Sequence, residues 1–270
     1  MLRAPAVAGL FYSSSAEALA DEVARCMDHS VHPQPAIAAV SPHAGLMYSG
    51  LVAGSVYSRL ALPETVILIG PNHTGLGPAV SVYPDGAWQM PGGAVSIDRD
   101  LARQILARCP QAEADTSAHQ QEHCLEVQLP FLQDRHRRIR IVPIVLGTRD
   151  PALCRAIGEC LAAIVSAAGG AAGLRPLLVA STDMNHYESD AVTREKDHHA
   201  ITAIAGLDPE GLDAAVTDHQ ISMCGIAPTL AVLHAARRLG ASGATLVSYA
   251  TSADRGGDRD RVVGYAGFTI

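Results

Sequence analysis

The chain has 270 residues, 48% hydrophobic and 17% charged, a balance that excludes a disordered chain. At this size a fold hides about three quarters of its unfolded surface. Twenty Lys+Arg against 27 Asp+Glu give a net charge of −7, and with no basic run this argues against nucleic acid as the main partner.

The chain opens Met-Leu-Arg-Ala-Pro-Ala-Val-Ala-Gly, without a basic start, apolar stretch and cleavage site. The expected setting is therefore cytoplasmic. The next element is a helix over Ala16–Met27, with Leu19, Val23, Cys26 and Met27 on one face. Ala36–Val40 and Val66–Ile69 read as strands. Val66-Ile67-Leu68-Ile69 shows no polar alternation, as in a parallel strand covered on both faces. Trp88–Val95 reads as a loop or small hairpin, and Arg99–Cys109 as a helix through Leu101 and Ile105. Ile141–Leu146 and Leu177–Ala180 are further strands. Asp150-Pro151 and Asp208-Pro209 each open a helix, Asp suiting the N-cap and Pro the first helical position. Ala227–Leu239 is a helix with Arg237 and Arg238 near its C-terminus. Thr245–Tyr249 and Val262–Ile270 close the chain as strands, with Gly256-Gly257 in a polar surface loop between them.

No repeat or long linker divides this order, so residues 1–270 read as one domain. Alternating strands and helices imply the α/β class: a central, mostly parallel or mixed sheet flanked by helices. The longest apolar runs fall short of the ~20 residues of a membrane span, so no membrane partner is expected. Six Cys form no Cys-x-x-Cys pair, and in a reducing compartment they are expected to be mostly free. No Walker A or Gly-x-Gly-x-x-Gly pattern supports a nucleotide.

In open α/β sheets, ligands bind beyond the C-terminal ends of the strands. Three strand candidates end there in a His-bearing polar loop: Ser41-Pro42-His43-Ala44-Gly45, Gly70-Pro71-Asn72-His73-Thr74-Gly75, and Ser181-Thr182-Asp183-Met184-Asn185-His186-Tyr187. Twelve His in the chain point the same way, to metal or acid–base chemistry. Neutral imidazoles suit a transition metal. Cys224, in Ser222-Met223-Cys224-Gly225, precedes the Ala227–Leu239 helix, where the dipole stabilises a thiolate. It reads as a ligand or nucleophile, or else as a small buried hydrophobe.

A second polar run is His119-Gln120-Gln121-Glu122-His123-Cys124-Leu125-Glu126. Its spacing puts His119 and His123 on one helix face, as it does Glu122 and Glu126. His123 and Glu122 are candidates for lining the site. His198-His199 read as a solvated helix face, and His29, His32, His136, His219 and His234 as surface or core residues. The low aromatic content offers no stacking platform for a substrate ring.

The opening Pro5-Ala6-Val7-Ala8-Gly9-Leu10-Phe11-Tyr12 carries a resemblance, together with the loops at His43 and His73, Glu122-His123-Cys124-Leu125-Glu126, the Ser181–Tyr187 run and Met223-Cys224-Gly225. Together, in order and over nearly the whole chain, these segments resemble the Memo family, whose bacterial and archaeal members are called AmmeMemoRadiSam system protein B. The resemblance implies a fold similar to the class III extradiol dioxygenases, non-haem iron enzymes of the protocatechuate 4,5-dioxygenase type. By motif, His43 and His73 match the two metal-binding His, Cys224 stands where those enzymes have a carboxylate, and His186 matches the acid–base His, with Asp183 beside it. Asn72 and Cys124 join His123 and Glu122 as expected lining. Cys124 departs from the Ser expected in this stretch, and Trp88–Gly93 departs from the family's usual Thr-Pro-Leu-Gly ending.

The leading expectation is a metal-dependent, dioxygenase-like oxidoreductase. His43, His73 and Cys224 would hold one redox metal ion, iron(II) or copper; thiolate is softer than carboxylate and favours copper or a differently tuned iron. The alternative is a non-catalytic metal- or peptide-binding module. The family name implies association with a radical SAM enzyme and a small third partner; the ligand itself is an unknown small molecule or peptide. A third reading is a Cys hydrolase with Cys224 as nucleophile, His186 as base and Asp183 orienting it.

Overall fold

A computed structural model describes residues 1–168 and 175–270. Four parallel strands form its centre, in the order Arg140–Leu146, Thr65–Pro71, Leu177–Ser181, Ala38–Ser41. Gly93–Ile97 extends one side in parallel, and Ala87–Met90 pairs antiparallel with it as a hairpin, so the Trp88 region is strand and not loop. On the other side Val262–Thr269 and Thr245–Thr251 add antiparallel strands. The α/β class with a mixed sheet flanked by helices is thus observed.

The two faces of each strand divide the core. Ile67 and Ile69 face one apolar cluster, with Val142, Ile144, Ala38 and Val40. Val66 and Leu68 face the other, with Ile141, Val145 and Ala39. Burying each Val, Leu or Ile contributes about 1.5–3 kcal/mol, so a doubly covered sheet is the main store of stability. Helices Arg99–Arg108, Pro151–Ala168, Pro209–Asp218 and Ile226–Arg238 cover the first face. Ala16–Cys26 and Leu46–Arg59 cover the second. Asp98 and Asp208 cap their helices by accepting from Leu101 N and Gly211 N.

Two expectations are refined and one changes. Helix Pro151–Ala168 is long and apolar enough by composition to cross a bilayer, but Cys154, Ile157, Leu161, Ile164 and Val165 are buried, with Ile226–Arg238 packed across Gly158. A Cβ at Gly158 would run into the Ala231 carbonyl, so the glycine sets how closely the two helices approach. Four cysteines are free, but Cys109 and Cys160 are bridged, tying helix Arg99–Arg108 to Pro151–Ala168. Finally, the run around His119 and His123 is not one helix. Ser117–Gln120 is a short turn of helix, the chain unwinds through residues 121–125, and Leu129–Arg135 starts a new helix after a 3₁₀ turn.

Candidate metal centre

Because the central strands are parallel, Ser41, Pro71 and Ser181 all end at the same edge, and the loops that follow meet there. The Nε2/Nδ1 and Sγ atoms of His43, His73 and Cys224 come within 4.8 Å of one another. Cys224 reaches them from the turn before Ile226–Arg238. Its Sγ lies 3.3 Å from His43 Nε2 and accepts from the Asp183 N–H at 3.2 Å. Gly225 makes this approach feasible: a Cβ there would lie 2.5 Å from the Ser181 carbonyl.

Each imidazole is aimed by its other nitrogen. The Gln128 amide donates to the Pro42 carbonyl and to Ser181 Oγ, while its oxygen accepts from Tyr57. Ser181 donates its one hydroxyl proton to the Cys124 carbonyl. Its oxygen therefore only accepts at His43, so His43 Nδ1, 2.9 Å away, carries the proton. That leaves His43 Nε2 as a bare lone pair facing Cys224. Burial holds the ring well below the usual imidazole range, in the neutral form a metal needs.

His73 Nδ1 bonds Glu122 Oε1 at 2.9 Å. Burial opposes charge on the His73 ring, but the Glu122 carboxylate overrides it and raises the imidazole above its usual value. Burial alone would raise Glu122, yet His73 and the N–H groups of His73 and Cys124 hold it down to about 2. Carboxylate–histidine pairs of this kind fix ring orientation at metal sites. The same saturation argues against a second group, His73, Glu122 and Cys124, as a separate site: the Glu122 oxygens are taken up, and Cys124 Sγ donates to the Pro71 carbonyl.

His186 stands across the pocket. Its Nδ1 lies 2.8 Å from the Ser222 carbonyl, which can only accept, so Nδ1 is protonated and Nε2 is free. Burial lowers this imidazole too. Asp183 does not orient His186: its Oδ1 accepts from the His43 N–H at 2.8 Å, and burial raises the carboxyl to about 7. The thiol-hydrolase arrangement is therefore absent in detail. The imidazole at Cys224 is His43, and burial raises the Cys224 thiol instead of activating it.

The pocket over these groups is a cavity of about 790 Å³. His123 lines it, stacked 4.7 Å from the His73 ring. Asn72, Glu122 and Cys124 stand behind the wall and not on it. The Asn72 carbonyl accepts from Thr74 and Gly75, so this side chain builds its own turn, while Glu122 and Cys124 are fully buried. His119 lies elsewhere, buried beside Tyr83 and Trp88. One further expectation fails here and another is extended. Phe11, Tyr48, Tyr187 and Tyr265 all line the cavity, so an aromatic platform exists. The surface loop at Gly256-Gly257 supplies wall residues Ser252, Gly257, Asp258 and Arg261. Ser181 and Ser222 stand in the quoted runs without a role, and Gln128 stands in none; no motif marks a residue whose role is to hold a proton on its neighbour's far nitrogen.

Ser181→Ala removes the acceptor that fixes the His43 tautomer. The expected result is a fall in iron(II) or copper affinity on the order of 10–100-fold, read by competition with a chromophoric chelator. Unchanged affinity would remove the tautomer argument.

The family described as Memo-like protein matches residues 3–269. A MEMO1 family protein of Methanosarcina mazei is 41% identical over 271 residues, covering 100% of this chain and 99% of its own. Another, from Methanopyrus kandleri, is 39% identical over 282 residues and covers 98% of each chain. Among solved structures, an uncharacterized protein of Escherichia coli K12 shares the fold with a TM-score of 0.56 at 14% identity, over 87% of this chain and 100% of that one.

Proposed function

The chain belongs to the Memo family, and from that premise we propose that it is a metal-dependent oxidoreductase of the dioxygenase-like kind, with His43, His73 and Cys224 holding one iron(II) or copper ion. The observation that carries the reading is the donor set itself. His43 presents a bare Nε2 to the Cys224 thiol, His73 stands within 4.8 Å of both, and each ring is locked from behind by a second partner. Such a set suits a soft or borderline transition metal. Bound there, the metal supplies one-electron and oxygen chemistry.

The protein's own groups do the rest. His186 Nε2 takes or returns a proton at the substrate, because its Nδ1 proton is committed to Ser222. Asp183, whose carboxyl burial raises to about 7, stands at the pocket floor where it can take up or release a proton near neutrality. Cys224 and His73 release protons when they become ligands, so metal affinity rises with pH. Phe11, Tyr48, Val263 and Tyr265 give the wall its apolar part. A cytoplasmic setting belongs to the same proposal and makes a demand: there, the Cys109–Cys160 bridge persists only if its potential lies below that of the glutathione pool.

The alternative, a non-catalytic metal- or peptide-binding module acting with a radical SAM enzyme and a small third partner, has its own support. A neighbouring cleft of about 640 Å³ shares Leu10, Phe11 and Met47 with the pocket, and an extended chain would fit across both. The two readings separate on oxygen uptake by metal-loaded protein across a substrate panel. Turnover that falls by about 10²–10⁴-fold in His186→Gln supports the enzyme. Peptide binding with no uptake for any substrate supports the module.

A further inference from the structure

Asn185 is fully buried behind His186, and each of its hydrogen-bonding groups is engaged. Its backbone N–H donates to Asp197 Oδ1 at 2.9 Å, and its backbone carbonyl accepts from the Gly264 N–H at 2.9 Å. The side-chain amide nitrogen donates to Glu188 Oε2 at 2.7 Å and to Thr193 Oγ1 at 3.3 Å. The amide oxygen accepts from the N–H and the hydroxyl of Ser222, both at 3.0 Å. Lys196 holds the Glu188 carboxyl below its usual value, so that group is ionised and only accepts. The amide therefore cannot be turned over: its nitrogen faces Glu188 and its oxygen faces Ser222.

Ser222 stands on the turn between helices Pro209–Asp218 and Ile226–Arg238, two residues before Cys224. Both sides of this contact are reached through strained backbone. Among the described residues three non-glycine residues have positive φ, and two of them, Tyr187 at +64° and Gln220 at +52°, lie two residues from Asn185 and from Ser222. Gln220 holds the place after a helix end that Gly or Asn usually takes. Strain of this kind persists only where the surroundings impose it. Here the Asn185 amide grips Ser222 and, beside it, Lys196 donates to the Gln220 carbonyl at 3.2 Å. The Ser222 carbonyl is thereby set 2.8 Å from His186 Nδ1, and the Ser222 hydroxyl oxygen accepts from the His186 N–H at 2.7 Å.

We propose that Asn185 is a positioning residue for proton transfer: by clamping Ser222 it keeps the proton of neutral His186 on Nδ1 and leaves Nε2 as the free base of the pocket. This rests on the reading of His186 as the group that moves protons. Asn185 does not line the cavity and acts through Ser222. Which imidazole nitrogen carries the proton is set by the hydrogen bond that the other makes or lacks. With the amide gone, the Ser222 carbonyl loses the contact that fixes it opposite Nδ1, and the ring can place its proton on either nitrogen.

The test is nitrogen-15 NMR of the histidine side chains in metal-free protein at mildly alkaline pH, where the ring is neutral because burial lowers this imidazole. Comparison with His186→Gln assigns its signals. Protonated and bare ring nitrogens differ widely in shift, so the two signals report the tautomer. The expected result in wild type is a protonated Nδ1 and a bare Nε2. In Asn185→Ala, and in Asn185→Ser, whose hydroxyl is too short to hold Ser222, the two shifts are expected to move towards each other as the tautomers exchange. A variant with a wild-type circular dichroism spectrum that keeps the wild-type pattern overturns the proposal. So does a wild type whose proton sits on Nε2, a result that needs no variant to fold. Neither metal nor substrate is present, so a failure of the oxidoreductase reading leaves this result interpretable by itself.

Discussion

Replacing Glu126 by Gln is expected to destabilise the protein by about 3–5 kcal/mol, the usual cost of stranding one member of a buried ion pair. Arg3 and Glu126 are both fully buried and meet at 2.6 Å. Glu126 also accepts from the N–H groups of Ala6 and Val7 and from the Tyr12 hydroxyl. Arg3 also donates to the carbonyls of Ala4, His119 and Glu122 and lies 4.0 Å above the Trp88 ring. In Glu126→Gln the guanidinium keeps its burial and loses its counter-charge. In Arg3→Met the carboxylate keeps three donors, so that variant is expected to lose less. The pair matters to function because it fastens two strips of the site at once: the N-terminal segment that brings Leu10 and Phe11 to the cavity, and the Glu122–Glu126 run that aims His73. Urea unfolding measures the effect. A loss under about 1 kcal/mol, or a larger loss in Arg3→Met, would contradict this picture.

His43→Ala is expected to lose metal binding beyond the roughly 10–100-fold that loss of an outer partner costs. His43 is 1% exposed, so water does not readily take the place of its Nε2, and Cys224 loses the group it faces at 3.3 Å. His123 is the imidazole that stands near enough to substitute, its ring 5.5 Å from that of His43. The double variant His43→Ala/His123→Ala therefore distinguishes rescue from irrelevance. If His43→Ala binds iron or copper as wild type does, and the double variant does too, neither ring is a ligand.

Much of this site was legible in the chain because its cause is local. A continuous apolar strand such as Val66–Ile69 announces a doubly covered parallel sheet, and a parallel sheet brings the ends of its strands to one edge. His43, His73 and Asp183 follow from that alone. Cys224 followed from its place before a helix. What escaped was tertiary in origin. Leu46–Arg59 carries Gly50, Gly54 and five β-branched or Ser positions that weaken helix propensity. It is nonetheless helical because it packs against Ala16–Cys26, where a Cβ at Gly54 would collide with the Cys26 carbonyl. The 118–130 run showed helical spacing, but Glu122 and Glu126 are pulled in different directions, one to His73 and one to Arg3. Composition missed the aromatic wall since a count of Tyr and Phe says nothing about where they gather.

The most direct test of the account is elemental mass spectrometry of the protein after anaerobic purification, on wild type and Cys224→Ser. Three convergent donors predict about one iron or copper per chain in wild type, lost in the variant, because a hydroxyl is a poor substitute for a thiolate toward such metals. A wild-type chain without redox metal, or a Cys224→Ser chain with undiminished content, would contradict it.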